Sequence, residues 1–161
     1  MTDTLKFICE QCIHLHNPQL EFIPQQLQRQ RAIILRDLKE LLSAASLEQE
    51  KSVIVLAGCL FESVLYCFIQ AQSGYIAILR AGPFRLNPEK QGLSNYVSIF
   101  NRWFSGVVVA IPDLIVGYRD MVHMNRELEY PPDVCRSASR EMLRLLDTLF
   151  GKLEEYAKTG N

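Results

Sequence analysis

The stretch VIVLAGCLFESVLYCFIQA, Val53 to Ala71, decides what kind of protein this is. It is apolar on nearly every side, which suits either a bilayer span or the centre of a helical bundle. Glu62, near its middle, separates the two. A carboxylate at mid-bilayer costs about 2.5–3.5 kcal/mol on insertion scales, whereas a buried bundle helix can give it a partner. The stretch therefore predicts the central helix of a soluble bundle, running from Glu48 to Gln72, and no membrane association.

Working outward towards the N-terminus, Leu20 to Ala45 predicts a long amphipathic helix. Ile23, Leu27, Ile34, Leu38 and Leu41 or Leu42 recur at helical spacing, with Arg31, Lys39 and Glu40 between them. Asp3 to His16 predicts a short helix, with Thr4 as a cap before the first apolar residue and Asn17-Pro18 as its stop. On the other side, Ser73-Gly74 breaks the central helix. A short helical stretch to Leu79 and a loop from Ala81-Gly82-Pro83 to Pro88 follow.

Gln91 to Phe104 predicts a further helix, ended by Ser105-Gly106. Val107 to Ile111 is β-branched, but it is isolated and has no partner strand. Pro112-Asp113 opens a helix through about Glu127, and Tyr130-Pro131-Pro132 closes it. The last helix, Asp133 to Lys158, carries Val134, Met142, Leu145, Leu146, Leu149 and Leu153 on one side. No linker or repeat divides residues 1–161, so the expectation is one domain, an all-α bundle of about five to six helices.

Composition supports this and excludes several function classes. With 17 basic and 18 acidic residues the net charge is -1, so whole-chain charge gives no footprint for nucleic acid or lipid. The cysteines number five, Cys9, Cys12, Cys59, Cys67 and Cys135. An odd count, two of them inside the apolar run, and an N-terminus without a signal-like pattern lead us to expect free thiols in the cytoplasm. There is no phosphate-cradling glycine loop, no G-x-S-x-G elbow and no H-E-x-x-H motif. No cofactor is implied.

Glu62 is the only charged residue between Lys51 and Arg80, so inside a bundle it needs a partner. Arg119 and His123 lie four apart on the predicted helix after Pro112, with Arg126 one turn further along the same face. Either an ion pair with this helix fixes how the two helices dock, or the His and Arg form a site. In a site they would supply a general acid or base and a phosphate clamp.

VLAGCLFESVL (Val55 to Leu65), followed by YRDMVHMNRE (Tyr118 to Glu127), resembles the pattern of the HEPN family of helical domains. LSNYVSIFNR (Leu93 to Arg102) falls where such domains have an intervening helix, and the helix from Val134 falls where they close the bundle. The resemblance covers about residues 45 to 155. It implies an all-α, often dimeric domain. Some relatives are metal-independent endoribonucleases, frequently toxins or defence effectors, and others are non-catalytic modules that bind protein partners or RNA. In the nucleases an arginine and a histidine from two copies meet across the dimer axis.

By resemblance, Arg119 and His123 are the matching positions, with Asp120 in the polar slot after the arginine. His123 would move the proton of the ribose 2′-hydroxyl or the leaving 5′-oxygen, and Arg119 would stabilise the charge on the phosphoryl oxygens. The chain departs from the pattern at two points. Three residues separate Arg119 from His123 where four to six are usual, and Val116 stands where relatives can carry another arginine. The expectation is thus a HEPN-like binding module, dimeric or bound to another protein or RNA, with a ribonuclease as the alternative.

Two weaker constellations remain. Cys9, Cys12 and His16, with His14 beside them, have the spacing of part of a zinc site. No second C-x-x-C or H-x-x-x-H pair completes it, so the cysteines read as small core residues beside Leu5 and Ile8. Arg136, Arg140 and Arg144 repeat every four residues on the last helix and are candidates for nucleic-acid contact. Asp133, Glu141 and Asp147 lie among them, as on an ordinary solvated face. Trp103 and Phe104 read as core or interface rather than as base-stacking platforms.

Overall fold

The computed structural model describes residues 4–72, 92–121 and 132–159. Among the described residues every regular element is helical: α1 (Leu5–Gln11), α2 (Ile13–His16), a 3-10 turn (Gln25–Leu27), α3 (Gln28–Ser46), α4 (Glu50–Ala71), α5 (Leu93–Phe104), α6 (Leu114–Met121) and α7 (Pro132–Thr159). The expected all-α bundle is observed, with seven α-helices among the described residues where five to six were expected. The predicted stretch to Leu79, the loop from Ala81 to Pro88, and the part of the Pro112 helix beyond Met121 lie outside the described residues.

α4 packs against α3, α5, α6 and α7, which makes it the centre of the bundle. By length and composition it would also pass for a membrane-crossing helix, but 61% of its most apolar stretch is buried against its neighbours. Phe68 shows how the core interlocks. Its ring meets Phe100 and Phe104 of α5 and Tyr156 of α7 edge-on, with centroids 5.5, 4.9 and 5.4 Å away. Such aromatic pairs contribute about 0.5–1.5 kcal/mol each beyond burial. α4 is not buried all round, however. Ser52, Val55, Leu56, Cys59, Glu62 and Tyr66 follow one helical face and stay partly or fully exposed.

Two predicted helices are shorter than their periodicity suggested. The Asp3–His16 helix is two, because Cys12 leaves helical geometry at φ -79, ψ 78. Thr4 does cap α1, its hydroxyl accepting from the Phe7 N–H at 3.2 Å. The Leu20–Ala45 helix starts only at Gln28, because Pro24 adopts an extended backbone (φ -68, ψ 157) and lacks an N–H. Leu20, Phe22 and Ile23 are buried all the same, as irregular chain rather than helix.

Two connections explain how the helices are set. α3 ends in a paired C-terminal motif, with Gln49 N–H donating to Ala44 O and Glu48 N–H to Ala45 O. The residue in the left-handed position is Glu48, φ 55, where glycine is usual. Its carboxylate receives the Leu5 and Lys6 N–H groups, both at 3.0 Å, and so caps α1. Between α5 and α6, the Asn101 amide accepts from Ile111 N–H at 2.8 Å and donates to Ile111 O at 2.6 Å. One end of the β-branched run is thereby satisfied by a side chain.

Candidate functional site

α6 is short, and among the described residues Ile115, Tyr118 and Arg119 help to hold it. Ile115 is fully buried in the core. The Tyr118 hydroxyl donates to Glu141 of α7 at 2.6 Å. That hydrogen bond, with burial, pushes the phenol up to about 12. The third contact is the predicted one: Arg119 Nη2 stands 3.6 Å from Glu62 Oε2 on α4.

The aliphatic part of Arg119 lies directly over Gly58. A Cβ placed on Gly58 would meet Arg119 Cγ at 3.0 Å and Cδ at 3.2 Å. Gly58 is one turn before Glu62, so it opens the space in which the arginine reaches along α4 to the carboxylate. Both partners stay reachable from solvent, with 39% of the Arg119 side chain and 33% of the Glu62 side chain exposed. Ion pairs this open contribute about 0–1 kcal/mol. Cys59 stands beside them; burial raises its thiol, and Arg119 acts in the opposite direction.

Asp120 is partly buried next to Arg119 on α6. His123 and Arg126 lie outside the described residues. The structure thus joins Glu62 to Arg119 and describes no geometry for the Arg119–His123 pair.

The N-terminal cysteines and histidines are tied to the scaffold. Cys9 and Cys12 are buried. The Cys12 thiol donates to Ile8 O at 3.3 Å, and burial first, then Asp147 and Cys9, pushes it up to about 12. His16 Nε2 is 3.0 Å from Cys9 O and 4.0 Å from Cys9 Sγ. Among the described residues no group of three His, Cys, Asp or Glu side chains is arranged to hold a metal.

The larger polar cluster of this region went unread in the sequence. His14 Nδ1 donates to Glu154 Oε2 at 3.0 Å, and the Gln19 N–H donates to Glu154 Oε1 at 2.9 Å. Asp147 Oδ1 accepts from the His14 and Leu15 N–H groups at 2.9 and 3.0 Å. Glu154 is only 6% exposed. The His14 ring lies against Gly151, where an added Cβ would meet Nε2 at 2.7 Å. Two carboxylates of α7 therefore strap α2 to the bundle. The legible signal was acidic residues on the apolar side of α7, where a carboxylate needs a donor.

The arginine row lines one cleft, of about 630 Å³, together with Asp133, Ser137, Glu141 and Leu145. Arg136 is held by Glu50 at 3.1 Å and by Asp133 at 3.6 Å. Among the described residues, the buried Arg140 Nε has no hydrogen-bond partner. Trp103 is 37% exposed, with the Arg102 guanidinium 5.5 Å from its ring centroid. Phe104 is core.

No protein-family model, curated protein or solved structure matches this chain.

Proposed function

We propose that this chain is a HEPN-like helical module that acts by binding, in the first place to a second copy of itself, and does not cut RNA. One observation carries the proposal: the most apolar helix of the bundle leaves a strip open. Val55 is 42% exposed, and Leu56, Cys59 and Tyr66 continue the same face. Shallow clefts of about 400 Å³ run beside it, sharing Ser52 and Leu56, with Lys51 lining one and Lys39 and Glu40 the other. The charge in the strip, Glu62, is already met by Arg119. An apolar strip with its charge neutralised from within matches the centre of an interface, where charged groups are scarce.

The same pairing counts against the nuclease alternative. A guanidinium held by a carboxylate must give up that partner before it can clamp a phosphoryl oxygen. All five cysteines are free, in keeping with a reducing compartment.

Light scattering on the purified chain, with Val55→Asp beside it, tests the proposal. A wild-type dimer and a folded monomeric variant are expected. A wild type that stays monomeric at high micromolar concentration rejects self-association. In parallel, single-stranded RNA is incubated with wild type, Arg119→Ala and His123→Ala in the presence of chelator. Cleavage by wild type alone, leaving 2′,3′-cyclic phosphate ends, would establish the nuclease instead.

A further inference from the structure

We propose that Arg119 controls whether the α4 strip can be covered by a second copy: it masks the Glu62 charge, and so governs association while adding little to the fold of one chain. The inference rests on the reading of the strip as the self-association surface. Glu62 lies on the strip between Cys59 and Tyr66. Among the described residues its ion-pair partner is Arg119, at 3.6 Å.

Solvent makes the pair weigh differently in the two processes. In a single chain both side chains reach water, which screens the pair and leaves it close to neutral for folding. A second copy on the strip removes that water. A buried ion pair is then worth little in itself, but losing one member leaves an uncompensated charge and is strongly unfavourable. Without Arg119, the Glu62 carboxylate would enter the interface alone.

The surroundings agree with this role. Burial raises the Cys59 thiol, Arg119 lowers it, and Glu62 and Asp37 raise it, so the charges of the pair are felt on the strip itself. Asp37 has its own cation, Arg36, at 2.7 Å. The place of Arg119 is set by α6, which Ile115 roots in the core and the Tyr118 hydroxyl ties to Glu141. Gly58 leaves open the space in which the arginine lies. A shift of α6 away from α4 would therefore uncover Glu62 and turn the strip against a second copy.

Sedimentation equilibrium of the full chain tests this, with wild type, Arg119→Ala and the double variant Glu62→Gln/Arg119→Ala, each also followed by thermal melting. Arg119→Ala should fold and melt close to wild type, yet its dimer should dissociate roughly tenfold or more readily. The double variant should regain most of the wild-type affinity, because no charge remains to be buried. Equal affinity of Arg119→Ala and wild type would overturn the proposal and leave self-association standing. So would a double variant as weak as Arg119→Ala, since Arg119 would then act by contacts of its own. An Arg119→Ala chain that fails to fold overturns it as well, because the pair would be a fastener of the single chain. A monomeric wild type rejects self-association, and this inference with it.

Discussion

Glu62 and Glu154 are built alike and behave differently. Each lies on a core helix and faces a basic side chain that crosses a nearby glycine: Arg119 over Gly58, His14 over Gly151. Glu154 is 6% exposed and accepts two hydrogen bonds at 3.0 and 2.9 Å. The Glu62 side chain is 33% exposed, and among the described residues its ion-pair contact is Arg119 at 3.6 Å. Desolvation makes the difference. A buried carboxylate must be fully satisfied, so its removal leaves donors stranded. A half-open one is screened by water and is free to exchange partners. The first arrangement is a fastener; the second suits a surface that has to be used.

The largest effect should come from Glu154→Ala, which strands the His14 ring and the Gln19 N–H. We expect about 2–3 kcal/mol of lost stability, read as a lower denaturation midpoint. Gly151→Ala comes next. Its methyl group would overlap the His14 ring, at a cost of about 1–3 kcal/mol. Combined with His14→Ala the loss should be less than additive, and additivity would break the claimed packing.

Smaller again is the Glu48 cap, about 0.5–1 kcal/mol. The Lys6 and Leu5 backbone hydrogen bonds hold its carboxyl below the usual carboxylate range. The folded pKa lies below the unfolded one, so the stabilisation is present above the unfolded value and disappears as pH falls through the folded value. Glu48→Gln should therefore melt earlier than wild type at neutral pH and alongside it in strong acid. The smallest effect belongs to Glu62→Gln, within about 0.5 kcal/mol. A loss above 2 kcal/mol there would make the two glutamates alike and end the contrast.

Much of this architecture was legible because apolar periodicity reports burial directly. The central helix, α5, the cap at Thr4 and the last helix with Met142, Leu146, Leu149 and Leu153 inward all follow from spacing. The pairing of Glu62 with Arg119 was legible too, since a lone charge in an apolar helix has few candidates. What escaped depends on proximity between distant parts of the chain. Nothing local in His14 indicates Glu154, and nothing in Glu48 indicates the N-H groups of Leu5 and Lys6. The late start of α3 was readable at Pro24, where the regular spacing of leucines and isoleucines masked a residue that cannot sit in a helix interior.

The cap supplied by Glu48 also orders events in time. α1 spans 7 residues and α2 only 4, far below the length at which an isolated helix persists in water. The groups that complete them lie at Glu48 for α1 and at Asp147 and Glu154 for α2, so loops of some forty to one hundred and forty residues must close first. This segment is completed only after the helices that follow it in the chain. Until α7 docks, residues 4–23 have only α3 and the Glu48 carboxylate to pack on, so the strap to Asp147 and Glu154 closes after α7 is in place.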